Sequence, residues 1–151
     1  MTHETYMQMA ITKAKEGKSA STGGAFGAVI VLNDEVVCAV HNQVKKEQDI
    51  TQHAELHAIQ IAAKKLGKHR LKDCVLYTSC EPCMMCLGAC YWAQFKAVYF
   101  GASAQDAKDY GYVYSNCYYE MDSDQRHKEF RMTQLLAKEA ISVWEEKGVS
   151  R

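Results

Sequence analysis

Near the start of the chain, Tyr6, Met9, Ala10 and Lys13 recur at helical spacing, which predicts a helix over residues 4–17 with Gly17 as its stop. The pattern then changes period. After Gly23-Gly24 an apolar, β-branched run from Phe26 to Leu32 reads as a strand, Asn33-Asp34 turns the chain, and Glu35 to Val40 reads as its hairpin partner. Helical spacing returns from His53 to Leu66, where Ile59, Ala62, Ala63 and Leu66 form one stripe and Gly67 supplies the C-terminal stop. Residues 75–78 read as a short buried strand. Pro82 suits the first turn of a helix running to about Ala93, because its missing N–H costs nothing there, and residues 97–100 form the next strand. Residues 103–123 hold Tyr110, Tyr112, Tyr114, Tyr118 and Tyr119 and read as a surface seam or interface, with a pocket wall as the alternative. The tail, residues 125–147, reads as one long helix or two short ones, with Phe130, Leu135, Leu136, Val143 and Trp144 as its apolar positions. Strands alternating with helices place the chain in the α/β class, with helices covering both faces of a sheet.

The 151 residues suffice for one domain with a real core, and no linker, repeat or low-complexity tract divides them, so a single domain over 1–151 is expected. Eighteen basic residues balance eighteen acidic ones, which argues against a nucleic-acid partner. The basic group Lys64, Lys65, Lys68, His69 and Arg70 reads as a charged helix end, opposing the macrodipole. No run of about 18 apolar residues is present, so no membrane span is expected. The first residues lack the pattern of a signal peptide. Of the seven cysteines, four crowd between Cys80 and Cys90; such clustering points to reduced thiols, metal ligation and a cytoplasmic location.

Two motifs carry chemistry. His53-Ala54-Glu55 opens one predicted helix, and Cys80-Glu81-Pro82-Cys83-Met84-Met85-Cys86 opens the next. Cys83 and Cys86 are three apart, so a helix brings their sulfurs to one face, and a helix N-terminus favours the metal-binding thiolate. Two thiolates and the His53 imidazole make three ligands, which leaves a zinc ion a fourth position for water, the mark of a catalytic site. Such a water supplies hydroxide near neutral pH, and Glu55 is placed to shuttle its proton, help typically worth ~10²–10⁴-fold. His57 reads as structural, since the metalloprotease pattern needs glutamate directly after the first histidine and Ala54 stands there.

H-x-E followed by P-C-x-x-C is the zinc deaminase pattern. Through Gly27 to Val31, Asn42, His53-Ala54-Glu55 and above all the stretch Tyr77 to Ala93, the chain resembles the cytidine deaminase-like superfamily, and within it the bacterial guanine deaminases. Transfer RNA adenosine deaminases share much of that last stretch. The resemblance implies a three-layer α/β/α sandwich on a five-stranded mixed sheet, one zinc ion per chain with a bound water or hydroxide, and a small-molecule base as substrate. It further implies that Glu55 passes the proton to the ring and then to departing ammonia, that Asn42 and the backbone at Ala54 hold the base edge, and that Phe26 and Trp92 pack near its faces. Tyr114 is a further candidate contact. A homodimer, with C-terminal segments exchanged between subunits, is also implied. The chain departs from guanine deaminases after Gly111, where they tend to carry acidic residues: Tyr112-Val113-Tyr114 follows here, with no carboxylate until Glu120. Asp109, Glu120 or a water would then read the purine edge, or the base would differ. Ala25 stands where relatives often have proline.

Three rivals compete. Cys80, Cys83, Cys86 and Cys90 have the spacing of bacterial iron–sulfur ferredoxins, although Tyr91 rather than proline follows. A closed structural zinc site would recruit Cys80 or Cys90 as fourth ligand. Editing of adenosine in transfer RNA would need a basic rim around a flipped base.

Overall fold

The computed structural model describes residues 1–145. In chain order its elements are α1 (His3–Ala20), β1 (Gly27–Leu32), β2 (Glu35–His41), α2 (Val44–Glu47), α3 (Ala54–Leu66), β3 (Cys74–Cys80) and α4 (Met84–Ala93). They continue with β4 (Ala97–Ala102), α5 (Ala104–Asp109), α6 (Asn116–Glu120), α7 (Ser123–Glu129), β5 (Met132–Gln134) and α8 (Ala137–Glu145). Glu146 and Lys147, the end of the predicted tail helix, lie outside the described residues.

Helix α1 buries Tyr6, Met7, Ala10, Ile11 and Ala14 as one stripe, and the Thr2 side chain caps it by accepting from the Thr5 N–H. It runs through the predicted stop at Gly17 and ends at left-handed Ser21. A Cβ on Gly17 would lie 2.9 Å from the Cβ of His41, so this glycine serves a close approach to β2 rather than a turn. At the hairpin, Asn33 and Asp34 both take positive φ (51° and 62°), which matches the twist that two-residue hairpins require.

The sheet order is β2-β1-β3-β4-β5, with β1 antiparallel to both its neighbours and β3, β4 and β5 mutually parallel. Alternation along the strands divides the core. Ala28, Ile30 and Leu76 pack with Ala54, Ala58, Ala62 and Leu87 of α3 and α4. Val29, Val31 and Tyr77 pack with Met7 and Ile11 of α1 and with Ala140 and Val143 of α8. The result is the expected α/β/α sandwich on a five-stranded mixed sheet.

The tail holds two short helices, α7 and α8, as the second of its two readings has it, with a strand between them that neither reading contains. Met132 to Gln134 form an edge strand on β4, bracketed by Arg131 and Leu136, whose positive φ values (55° and 57°) turn the chain in and out of the sheet. Helix α8, for which exchange between subunits is implied, packs on β4 and α1 of its own chain, and the Trp144 indole N–H donates to the Ala25 carbonyl at 3.1 Å. Pro82 also shifts role: α4 starts at Met84 with Cys83 as its N-cap, so the proline precedes the helix. The carboxyl end of β3 and the amino ends of β1, α3 and α4 meet at one end of the central strands, where α/β folds place their ligands.

Candidate active site

His53 and Cys83 are the N-caps of α3 and α4, and Cys86 follows in the first turn of α4. The sulfurs of Cys83 and Cys86 lie 3.6 and 3.5 Å from His53 Nδ1. A tetrahedral zinc ion about 2.0–2.1 Å from nitrogen and about 2.3 Å from sulfur holds those two atoms about 3.5 Å apart. Both nitrogen–sulfur spacings therefore fit zinc, and all three donor atoms lie within 4.8 Å of one another. Among the described residues no fourth His, Cys, Asp or Glu joins this group.

The thiols are tuned unequally. The hydrogen bond from the Cys86 thiol, with further help from His53, brings Cys83 down to about 4 against the opposing effect of burial. Cys86, the donor of that bond and itself buried, is pushed far up. Without metal the pair shares one proton, which a cation displaces on binding. His53 is raised, chiefly by its hydrogen bond with Cys83.

Glu55 occupies the first turn of α3 with 6 % of its surface exposed. Burial, reinforced by the Cys83 charge, lifts its carboxyl to about 7, where a group can both take and give a proton near neutrality. His53, Glu55 and Cys83 all face a cavity of about 300 Å³, so the ligand set is open on that side, as in catalytic zinc sites.

A family profile for the cytidine and deoxycytidylate deaminase zinc-binding region matches residues 1–102, which hold all three ligands and Glu55. The chain belongs to this zinc-dependent deaminase family. It is an aminohydrolase. The deaminase is 44% identical over 145 residues to the guanine deaminase of Bacillus subtilis (strain 168), a match spanning 96% of this chain and 93% of that one. A solved X-ray structure of guanine deaminase from Bacillus subtilis superposes with a TM-score of 0.77 at 50% identity, covering 81% of this chain and 78% of the other. The tRNA-specific adenosine deaminase of Bacillus subtilis (strain 168) is 43% identical over 101 residues, 66% of this chain and 61% of that protein.

The other predicted contacts divide. Phe26 and Asn42 line the cavity of the deaminase. The Asn42 Oδ1 accepts from the Val44 N–H at 2.9 Å, which fixes the amide, and among the described residues its NH₂ group has no protein partner. Ala54 is fully buried at the start of α3, where its N–H has no helical acceptor. Tyr114 lines the cavity beside Tyr112 and Val113, so the aromatic segment is a pocket wall as well as a seam. Trp92 stands apart from them. It is 75% exposed and absent from the cavity wall of this chain, because nine residues after Cys83 place it about half a turn around α4 from that ligand.

Cys80 and Cys90 leave the ligand cluster. The Cys80 sulfur lies 3.2 Å from the Tyr114 hydroxyl, and Cys90 packs in the core beneath α4. Neither an iron–sulfur cluster on four cysteines nor a four-ligand structural site suits this geometry. His57 lies beside His41 and Glu47, away from the ligands, and burial lowers its pKa. Asp109 and Glu120 are both exposed and outside the cavity, which makes Glu55 the one carboxylate on its wall among the described residues. Sequence reasoning missed Cys80 and Val113 as wall residues and gave Tyr112 a pocket wall only as the alternative to a seam. Strand alternation beyond Thr78 was the signal available for Cys80; none marked Val113.

Proposed function

We propose that this deaminase converts guanine to xanthine and ammonia, acting as a single domain over residues 1–151. The observation that carries the reading is the extent of likeness. The guanine deaminase of Bacillus subtilis matches through the C-terminal third, whereas the tRNA-specific adenosine deaminase matches only 101 residues. That third supplies Tyr112, Val113 and Tyr114 to the cavity wall. A cavity of about 300 Å³ lies at the small end of ligand pockets (about 300–1,000 Å³), a size for one heterocycle. Among the described residues no Lys or Arg lines it to meet a phosphate, and the basic group after Lys64 lies at the far end of α3, roughly 20 Å away.

His53, Cys83 and Cys86 hold zinc, which when bound acts as a Lewis acid and makes a water nucleophilic near neutral pH. The chain does the rest. The flat base lies against Phe26 with its edge toward the Asn42 NH₂ group and the Ala54 N–H. Glu55 takes one proton from the attacking water and passes it to the ring nitrogen beside the amino-bearing carbon, then takes the water's second proton and delivers it to the amine as the carbon–nitrogen bond breaks. Oxygen replaces nitrogen on that carbon and ammonia departs.

Two further properties belong to this reading. The protein acts as a homodimer through α4, which carries no charged residue and exposes Met84, Tyr91 and Trp92. It works in the cytoplasm; all seven cysteines are free thiols, and among the described residues no helix is long and apolar enough to cross a membrane. Ammonia release by the zinc-loaded protein tests the substrate. Guanine should outpace cytosine, adenine and adenosine in transfer RNA, and a faster rate on any of those three overturns the assignment.

A further inference from the structure

The two residues before Cys83 are held by side chains from a part of the chain beyond the family-matched region. Glu81 is 1% exposed. Its Oε1 accepts the Ala104 N–H at 2.9 Å, while its Oε2 accepts Arg126 Nε at 3.0 Å, Arg126 Nη2 at 2.9 Å and His127 Nε2 at 2.9 Å. The Tyr118 hydroxyl lies 2.6 Å from the Pro82 carbonyl and 3.1 Å from Glu81 Oε2. The Tyr114 hydroxyl donates to the Glu81 carbonyl.

Pro82 has no N–H, so its carbonyl is the one polar backbone group by which residue 82 can be held, and Tyr118 holds it. The Tyr118 ring is fully buried, with the Arg126 guanidinium 4.2 Å from its centroid on one side and the edge of Tyr114 at 5.1 Å. Arg126 Nη1 also donates to the Tyr118 carbonyl at 3.2 Å. A fixed guanidinium thus fixes a phenol, the phenol fixes the Pro82 carbonyl, and the next residue is a metal ligand. The helix itself holds only the far side of Cys83, whose carbonyl accepts the Leu87 N–H at 2.7 Å; Tyr118 and Tyr114 hold the chain that enters it.

We propose that Tyr118 and Arg126 are positioning residues for Cys83, acting through Pro82 and Glu81, so that α6 and α7 set the grip on the metal. This rests on zinc being held by His53, Cys83 and Cys86. Outer partners of metal ligands typically govern metal affinity or activity by about 10–100-fold.

The test is Tyr118→Phe, which keeps the buried ring and removes only the hydroxyl, with Arg126→Lys beside it, which keeps the charge and loses the planar fork. Each zinc-loaded protein is mixed with excess chromophoric chelator at a temperature where circular dichroism shows it folded. Zinc loss is expected about 10–100-fold faster than in the wild type, with kcat reduced and KM within about twofold. In cobalt-substituted protein the thiolate-to-metal charge-transfer band is expected to shift or weaken in both variants. A wild-type chain that takes up neither zinc nor cobalt refutes the underlying metal site instead. Wild-type uptake, with both variants releasing zinc at the wild-type rate and an unchanged cobalt band, overturns the proposal. Should Tyr118→Phe not fold, Arg126→Lys decides; if neither folds, the network serves the fold and not the metal, and the proposal falls.

Discussion

Glu55 and Glu81 are both buried carboxylates, one two residues after a metal ligand and the other two residues before one, yet their surroundings differ in kind. Every direction of approach to Glu81 is filled: a guanidinium, an imidazole, a phenol and a backbone N–H all point at its two oxygens. Glu55 has no basic side chain but His53 acting on it, and it faces the cavity. A carboxylate saturated with donors cannot move a proton without breaking its bonds. One kept dry, with only its own N–H and the Cys86 thiol as donors, can. Burial alone therefore does not mark a catalytic acid; the number of donors aimed at it does.

The comparison breaks most visibly in turnover. Glu55→Gln keeps the shape of the side chain and removes its proton chemistry, so ammonia release should fall by about 10²–10⁴-fold while zinc content stays at the wild-type level. Metal analysis alongside the rate checks both halves, and an undiminished rate would assign the proton transfer elsewhere.

The next largest effect is on stability and has the opposite owner. Arg126→Ala strips Glu81 of a partner whose side chain is only 6% exposed, and leaving a buried charge uncompensated costs about 3–5 kcal/mol. Glu55→Gln should cost no such amount. Urea titration of the two variants separates them, and equal losses would dissolve the distinction.

A smaller effect follows from the raised carboxyl of Glu55. Folding lifts it from an ordinary 4.5 to about 7, so between these values the folded chain holds a proton that the unfolded chain has released. Its contribution to the stability of the zinc-free protein is full below about 4.5, declines as pH rises and levels off above about 7. The difference in unfolding free energy between wild type and Glu55→Gln should trace that decline, with wild type losing ground as pH rises; a pH-independent difference would contradict it. Smallest in consequence is a labelling order. In zinc-free protein near pH 6, Cys83, held down to about 4, should be alkylated by iodoacetamide before the exposed Cys117, and zinc should reverse that order.

The candidate metal-binding group was legible because each motif carries its own geometry. His53 caps one helix, Cys83 and Cys86 open another, and local spacing fixes where their donor atoms point. The sheet was legible through β4 for the same reason, since the runs Phe26 to Leu32 and Val75 to Thr78 are apolar over a strand's length. Gly17 misled because a glycine can serve close approach as well as termination. The strand at Met132 is three residues long, too short for a period of two to register between Phe130 and Leu135. Trp92 was placed by family likeness, whereas its turn of α4 faces away from Cys83. The partnership of Glu81 with Arg126 spans 45 positions and has no local trace. What was legible is local; most of what was not depends on contacts between segments distant in sequence.

The most direct test is zinc content measured with ammonia release from guanine on the same sample. One zinc per chain, turnover lost on chelation and turnover restored by one equivalent of zinc are the predicted results. Full turnover by protein stripped of metal would contradict the account.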